Sequence, residues 1–272
     1  MLEYTFIHLP RVGAIRERAL WGQGILTWQD ALGVPGSPSG FSARRWESCL
    51  RIVEQSVRCL EAGDHRHFAG CLRHGDHWRA YPEFRRRTAF LDIETTGLGA
   101  SDEVTVVGLY DGVRTSTFVA GDNLDQLPEA LAQYSLLVTY NGATFDLPFL
   151  LRRFPGLALD QLHVDLRYPL RRLGLSGGLK RVEGLVGLKR DPEVAGLDGW
   201  DAVRLWREYQ AGSDNSLATL VKYNTADIEN LEHLMLIAYE GMRREAGLPI
   251  IRVGRASSPT TPAVEEGARY AG

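Results

Sequence analysis

Two carboxylates, Asp92 and Glu94, interrupt an otherwise apolar segment at residues 88–97, whose composition is typical of a buried β-strand. Because alternate residues of a strand project from the same face, both acids should lie on one side of this strand. Two like charges in a half-buried place are costly unless a cation neutralises them, and carboxylate oxygens favour Mg²⁺ or Mn²⁺. The segment therefore predicts a divalent metal site. The alternative is an edge strand whose two acids are solvated.

Two further acids stand where such a site would need them. Asp146 follows an apolar run at residues 136–140 and an Asn-Gly turn, so it lies near the start of a helix at the carboxyl end of a strand. Asp227 comes one helical turn after Tyr223 in an amphipathic C-terminal helix, so these two side chains meet on one face. Taken alone, Asp146 is better explained as an acid favoured by the helix dipole.

The composition limits the class of protein without identifying it. The 272 residues are 44% apolar and 24% charged, and the net charge is −3, so a nucleic-acid partner would have to be met by a local basic patch. The three cysteines form no CxxC pair and the N-terminus lacks a signal-peptide pattern, so we expect a cytoplasmic protein. No apolar run approaches the ~18 residues that would span a membrane.

The elements that must position these acids alternate between strands and helices. After the strand with the two acids, the predicted elements are strands at 104–110 and 113–119, a crossover helix at 124–134, a strand at 136–140 and a helix beginning near Thr144. Asp111 and Gly112 are a strong hairpin signal between the second and third strands. This order predicts an α/β fold with a mixed sheet covered by helices.

The N-terminal segment predicts a pair of short helices. A helical run ends at Trp21, and Thr27 is placed to cap a second helix with Asp30 three residues later, as in a capping box. The pattern resembles half of a helix-hairpin-helix module, whose glycine-rich turn can hold a nucleic-acid phosphate. Arg11 stands where that family usually has its first glycine, so a side-chain cation would replace backbone contacts. A small helical pair packed on the next domain without a ligand explains the pattern equally well.

Residues 41–62 predict an amphipathic helix, and Asp64 is placed to cap the helix that follows. That next segment holds five potential metal ligands, namely His65, His67, Cys71, His74 and His77. Their spacing matches no zinc motif known to us. The segment therefore predicts either a zinc site or a surface helix followed by an aromatic turn.

In order and context, the acidic motifs resemble those of the DEDD superfamily of 3′→5′ exonucleases, which has the ribonuclease H-like fold. The matching parts are the Asp-Ile-Glu strand, the segment 141–146 and the pair Tyr223 and Asp227, whose tyrosine is typical of the DEDDy branch. The chain is also similar to bacterial YprB-like ribonuclease H-like proteins in the strand Asp-Ile-Glu-Thr-Thr-Gly-Leu, the turn Tyr-Asn-Gly-x-x-Phe-Asp and the helix Tyr-Asn-x-x-Asp. The resemblance covers residues 85–240.

The resemblance implies a mixed five-stranded sheet flanked by helices and a metal-dependent 3′→5′ exonuclease that acts on DNA or RNA. It implies that Asp92, Glu94 and Asp227 hold one Mg²⁺ or Mn²⁺ ion, with Asp92 shared and Asp146 supporting a second ion. Tyr223 would orient the attacking water, and a nucleoside 5′-monophosphate would leave from a 3′ end. The alternative is a nucleic-acid-binding module whose ribonuclease H-like fold is catalytically idle.

A cation-rich segment at residues 167–190, in which Glu183 is the only acid, predicts a wall of the cleft that follows the phosphates of single-stranded or 3′-ended nucleic acid. A solvated helical face explains the same charges. The predicted nucleic-acid contacts come from Arg11, Asn141, Arg171, Arg172, Lys180 and Arg181. Asp165, a further acid at the end of an apolar stretch, either supports the site or caps a helix.

These patterns divide the chain into four predicted parts. They are a helix-hairpin-helix-like segment at residues 1–33, a helical region at 41–84, a ribonuclease H-like exonuclease domain at 85–245 and a tail at 246–272. The tail is rich in Gly, Pro, Ser and Thr, a composition typical of disorder.

Overall fold

In the computed structural model, which describes residues 1–247, a five-stranded mixed sheet lies at the centre of the protein. Its strands are β1 (Thr88–Thr95), β2 (Val104–Tyr110), β3 (Thr115–Val119), β4 (Leu136–Thr139) and β5 (Leu162–Asp165). They lie in the order β3-β2-β1-β4-β5, with β1 antiparallel to β2 and parallel to β4. The predicted mixed five-stranded sheet is confirmed. The edge-strand interpretation of the acidic segment is wrong, because β1 is the central strand.

Helices cover both faces of this sheet and also precede it in the chain. Within residues 1–247 the α-helices are α1 (Ala14–Gly22), α2 (Trp28–Gly33), α3 (Ala43–Glu61), α4 (His65–Cys71), α5 (Tyr81–Phe84), α6 (Leu127–Leu131), α7 (Asp146–Arg153), α8 (Arg167–Arg172), α9 (Leu179–Leu185), α10 (Gly199–Gln210) and α11 (Asp214–Ala246). Short 3-10 helices cover Leu2–Tyr4, His74–Ala80, Arg85–Arg87 and Leu124–Gln126. None of these helices is both long and apolar enough to cross a membrane. The predicted tail lies outside the described residues from residue 248 on.

The pleat of β1 divides its apolar residues between two cores. Leu91 packs in one cluster with Leu127 of α6, on one face of the sheet. Phe90 lies on the opposite face, in a cluster with Ile228 of α11. Because side chains alternate along a strand, the two acids of β1 continue the row that begins with Phe90. They therefore face α11, the helix that carries Asp227.

The N-terminal helices share a hydrophobic core with the α11 face of the sheet. Trp28 of α2, Trp46 of α3 and Phe68 of α4 are fully buried in the cluster that also contains Phe90 and Leu231. Burial of such large aromatic side chains makes a major contribution to a core. The segments before β1 are thus held by the same apolar contacts as the sheet, and the predicted domain boundaries stay predictions.

Helix starts follow the sequence signals closely. Thr27 and Asp30 form the predicted capping box at α2, where the Asp30 N–H donates to Thr27 Oγ1 at 3.1 Å. Asp64 accepts the N–H of Arg66 at 3.1 Å and caps α4 as predicted. The amphipathic helix predicted at 41–62 is α3. These starts were predictable because a cap is a contact between residues only two or three positions apart.

Some element boundaries shift because turn residues take up backbone donors. β3 begins later than predicted, since Asp111 Oδ1 accepts the N–H groups of Val113 and Arg114 at 2.8 and 2.7 Å. α7 also begins later than predicted, because the chain from Asn141, at a positive φ of 69°, forms a turn before the helix. The predicted crossover helix is reduced to α6, which a 3-10 turn precedes.

The histidines of residues 65–77 are engaged in separate packing contacts. His67 Nε2 bonds to the hydroxyl of Ser56 at 2.9 Å, and His77 Nδ1 accepts the N–H of His163 at 3.0 Å. Within residues 1–247, these side chains form no group of three ligands close enough to hold an ion. The structure therefore gives the zinc interpretation no support, and the segment packs between α3 and β5.

Candidate active site

Three carboxylates from two elements meet at one end of β1. Asp92 and Glu94 belong to β1 and Asp227 to α11, and one carboxylate oxygen of each lies within 4.8 Å of the other two. Among residues 1–247 they are the only group of His, Cys, Asp or Glu side chains with this spacing. Asp92 and Glu94 lie together because side chains alternate between the two faces of a strand. The packing of α11 on β1 and β2 brings Asp227 beside them.

Asp146 approaches the same site from the β4–α7 turn, although it is not one of these three. It is the first residue of α7 and is 2% exposed. The backbone N–H of Ile93 in β1 donates to its carboxylate, which ties the start of α7 to the acidic strand. Its Oδ1 is buried without a hydrogen-bond partner among the described residues. Asp146 is thus held beside the site with one oxygen available to a ligand.

Asp165, at the end of β5, holds the turn that leads to Asp146. Its carboxylate accepts two N–H groups of that turn, from Asn141 at 2.8 Å and from the residue two positions later at 3.1 Å. A Cβ at Gly142 would lie 2.3 Å from Oγ1 of Thr139, so the turn packs too closely for a larger residue. Asp165 Oδ1 also accepts the N–H of Arg167, the first residue of α8. The contacts therefore include both a helix start and the turn that leads to Asp146, the two roles that the sequence left open.

Asn224 of α11, which was not predicted as a site residue, anchors Asp92. Its Nδ2 donates to the Asp92 carboxylate at 3.0 Å. The approach is possible because the residue opposite Asp92 in β2 is Gly108, where a Cβ would lie 2.1 Å from Asn224 Oδ1. Two features of the sequence could have indicated this contact. One is a glycine inside a predicted strand, and the other is an amide side chain directly after Tyr223.

Tyr223 lines the site one helical turn before Asp227. The residue is 7% exposed, and Nζ of Lys180 lies 4.5 Å from the centre of its ring. Burial, and then the charge of Asp227, raises the pKa of the Tyr223 phenol well above its usual range. The hydroxyl therefore keeps its proton at neutral pH and is not a base there.

Burial makes all four acids harder to ionise, and the charge of Asp227 adds to this for the other three. Burial, and then the charge of Asp227, raises the pKa of the Asp92 and Glu94 carboxyls well above their usual range. Burial also raises the pKa of Asp227, and the charge of Arg190 opposes that rise. Burial raises the pKa of Asp146 to about 7. A further cation beside the group would favour the charged form of each acid and so oppose these rises in pKa.

The donor set fits a hard divalent cation. Oε1 of Glu94, like Oδ1 of Asp146, is buried and has no hydrogen-bond partner among residues 1–247. A buried oxygen without a partner is costly unless a ligand satisfies it. Oxygen ligands of this kind, three of them within 4.8 Å, suit Mg²⁺ and Mn²⁺. The residues present therefore fit the ions that the sequence predicts.

The acids open onto a cleft of about 490 Å³. Its walls carry the cations Lys180 and Arg181, and the apolar side chains of Leu98 and Trp200, which are 73% and 70% exposed. An adjoining cavity of about 470 Å³ shares Tyr140, Gly178 and Leu179 with the cleft. The two cavities together form a groove that leads from the acids to a basic surface.

The residues predicted to contact nucleic acid lie in different places. Lys180 and Arg181 line the cleft, Asn141 and Arg171 line the adjoining cavity together with Arg167, and Arg11 and Arg172 line neither. Arg172 instead pairs with Glu245 at 2.8 Å. Arg11 is exposed in the N-terminal segment at a positive φ of 60°. Four of the six predicted residues are thus brought together along one groove.

One cation of the predicted phosphate-following segment 167–190 is instead buried and touches the acids. Arg190, between α9 and α10, forms ion pairs with Glu183 of α9 and with Asp227 of α11. The sequence contained one signal for this arrangement, because Glu183 is the only acid in the cation-rich segment. The partners could not be assigned from that pattern, since Asp227 lies far away along the chain.

A model of the RNase H superfamily matches residues 89–239, which is more than half of the chain. The chain belongs to the RNase H superfamily. Among solved structures it is similar to the family B DNA polymerase from the hyperthermophilic archaeon Pyrobaculum calidifontis, with 18% sequence identity and a TM-score of 0.41. That match covers 58% of this chain and 24% of the polymerase chain. No curated protein matches the sequence.

The raised pKa of Asp146 makes the metal-free protein sensitive to pH. Its folded pKa of about 7 lies above the ordinary value of 3.8, so between these values the folded state binds a proton that the unfolded state releases. The free energy of unfolding therefore falls as the pH rises from about 4 to about 7. We expect Asp146→Asn, which cannot titrate, to melt at a higher temperature than the wild-type RNase H superfamily protein at pH 8 in EDTA.

This difference in melting temperature should nearly vanish at pH 4.5, where Asp146 is protonated in the wild-type protein. Asp122→Asn, at an exposed position after β3, is the matched control and should show no such pH-dependent gain. A variant that is equally or less stable than wild type at pH 8 would show that Asp146 carries no electrostatic penalty.

Proposed function

We propose that this RNase H superfamily protein is a YprB-like, DEDDy-type 3′→5′ exonuclease that hydrolyses phosphodiester bonds of DNA or RNA. The observation that carries the proposal is the convergence of Asp92, Glu94 and Asp227 within 4.8 Å, with Tyr223 in the same cleft. Two of these residues come from the central strand and two from the longest helix. A set of buried acids at the mouth of a basic groove suits chemistry on a phosphate.

Asp92, Glu94 and Asp227 would hold one Mg²⁺ or Mn²⁺ ion, and Asp92 together with Asp146 would hold the second. When bound, two such ions stabilise the attacking and leaving oxygens of an in-line displacement at phosphorus. The protein's part is to keep the carboxylate oxygens in place. Asn224 does this for Asp92, and the Ile93 N–H does it for Asp146.

Tyr223 is suited to orient the attacking water. Its phenol keeps its proton and would donate a hydrogen bond to that water from its place beside Asp227. Lys180 packs against the ring and bonds to the carbonyl of Leu197, which restricts both side chains. Water held in this way attacks the phosphorus opposite the leaving 3′ oxygen, and a nucleoside 5′-monophosphate is released.

The substrate that suits the groove is a single strand or an unpaired 3′ end. Lys180, Arg181 and Arg171 offer charges to successive phosphates, as expected for binding that follows the backbone. The exposed indole of Trp200 offers a surface on which a base can stack. A cytoplasmic location belongs to the same proposal.

A catalytically idle nucleic-acid-binding module is the second candidate, and one contact favours it. Arg190 already pairs with Asp227, so the acids do not depend on a bound ion alone for neutralisation. The unpartnered oxygens of Glu94 and Asp146 favour the nuclease instead. The two candidates differ in one measurable property, which is cleavage in the presence of a divalent ion.

Asp92→Asn should slow cleavage of labelled single-stranded DNA or RNA at least about 10³-fold in Mn²⁺, because about 4 kcal/mol of transition-state stabilisation corresponds to that factor. The assay follows product length by gel, with EDTA as a blank. Asp122→Asn, an exposed acid outside the cleft, should cleave at the wild-type rate. Turnover near the wild-type level in Asp92→Asn would refute the site. Binding without cleavage by the wild-type protein would favour the idle module.

Tyr223→Phe removes only the hydroxyl and keeps the ring against Lys180. We expect cleavage that is slower by on the order of 10- to 10³-fold, with melting temperature and Mn²⁺ affinity nearly unchanged. Tyr209→Phe is the control, since Tyr209 packs on Trp206 and does not line the cleft. If Tyr223→Phe cleaves in single turnovers as fast as wild type, the tyrosine is a packing residue only.

Arg171 and Arg172 are adjacent and both exposed, yet only Arg171 lines the groove. Arg171→Ala should weaken binding of a single strand and lower the slope of log affinity against log salt by about 1. Arg172→Ala should have a smaller effect, because Arg172 is paired with Glu245. Titrations in EDTA at two salt concentrations measure both. Equal losses in the two variants would show that the strand follows another path.

A further inference from the structure

A line of buried charges leads from α9 to the acid of α11. Arg190 makes a two-point contact with Glu183, from Nε to Oε2 and from Nη2 to Oε1, both at 2.7 Å. Nη2 also donates to Oδ1 of Asp227. Asn230, one turn after Asp227, donates to Oε1 of Glu183 at 3.0 Å. The side chains of Arg190, Glu183 and Asp227 are only 4%, 3% and 7% exposed.

We propose that Arg190 is a positioning residue that fixes the carboxylate of Asp227 in the orientation needed for the cation site. In this arrangement Asn230 holds Glu183, Glu183 holds the guanidinium, and the guanidinium holds Asp227. The inference rests on the proposed function in one respect, namely that the acids bind a divalent ion. It goes beyond that function by adding a segment, the loop after α9, that carries none of the acidic motifs.

The partner of Asp227 differs in kind from the partners of Asp92 and Asp146. Asp92 is held by Asn224, and Asp146 is held by the N–H of Ile93. Asp227 is held by Arg190 through one oxygen, Oδ1, so its second oxygen can serve an ion. A guanidinium is planar and donates in fixed directions, which makes it better suited than an ammonium to set the plane of a carboxylate.

Stability alone is a poor explanation for this pair. Nη1 of Arg190 is buried and has no hydrogen-bond partner among residues 1–247. Desolvation of a buried ion pair offsets much of its attraction, and hydrophobic side chains of similar volume often serve equally well. The Arg190 contact gives the Asp227 carboxylate a defined direction. An apolar pair in the same place could not do so.

Replacing Arg190 should change the affinity for Mn²⁺ in opposite directions if Arg190 orients Asp227 and if it only neutralises the charge of Asp227. A fixed positive charge beside the ion repels it, so removal of a merely neutralising Arg190 would tighten Mn²⁺ binding. Loss of a residue that orients a ligand weakens binding, typically 10- to 100-fold for partners of metal-binding side chains. The proposal therefore predicts that Arg190→Met weakens Mn²⁺ binding by about 10-fold or more.

The test is Mn²⁺ binding to the full chain at pH 7.5 without nucleic acid, measured by the electron paramagnetic resonance signal of free Mn²⁺. Arg190→Lys keeps the charge but loses the two-point contact, so its affinity should stay close to that of Arg190→Met. The matched control is Arg79→Met. Arg79 forms an equally buried pair with Glu17 at 3.1 Å, away from the acids, so this variant should keep the wild-type affinity.

If Arg190→Met does not fold, the double variant Glu183→Gln with Arg190→Met removes both charges of the pair and tests the same point. Unchanged or tighter Mn²⁺ binding in the folded variant, or wild-type affinity in Arg190→Lys, would overturn the positioning role. Absence of Mn²⁺ binding by the wild-type protein would instead overturn the metal site of the proposed function. Wild-type binding of Mn²⁺ without cleavage would refute the nuclease and leave the role of Arg190 intact.

Discussion

The repulsion among four buried carboxylates is the constraint on which the arrangement of this protein depends. Burial raises the pKa of Asp92, Glu94, Asp146 and Asp227, and the charge of Asp227 adds to the rise in the other three. Such a group is costly in an apolar interior, and a fold keeps it only if other contacts supply the stability. The two cores on either side of the sheet do so, because β1 is central and is buried on both faces. Two of the acids, Asp92 and Glu94, thus stand on the central strand of the sheet.

Three of the four acids are positioned by partners from other elements. Asn224 reaches Asp92 across the place where Gly108 has no side chain. Asp165 clamps the turn before Asp146, and Arg190 binds Asp227. These partners are a neutral amide, backbone N–H groups and one cation, so most of the negative charge remains available to a ligand. Preorganisation of this kind means that little rearrangement is needed when a cation binds.

Much of the fold was predictable because its signals are local. The alternation of β1, the hairpin at Asp111 and the capping box at Thr27 each involve residues a few positions apart. Predictions failed where distant contacts decide the outcome. Whether the acidic strand is central or at an edge depends on which strands pair with it, and the histidines before β1 are used by partners such as Ser56.

By itself, the sequence determined that two acids share one face of a strand, that Tyr223 and Asp227 share one face of a helix, and that a mixed sheet carries them. These follow from the periods of two and 3.6 residues that every strand and helix obeys. Only the tertiary structure decided which charges meet. Arg171 and Arg172 are neighbours with the same charge, yet one lines the groove and the other pairs with Glu245. Glu183, Arg190 and Asp227 meet only because α9 packs against α11, and no local period encodes such a contact.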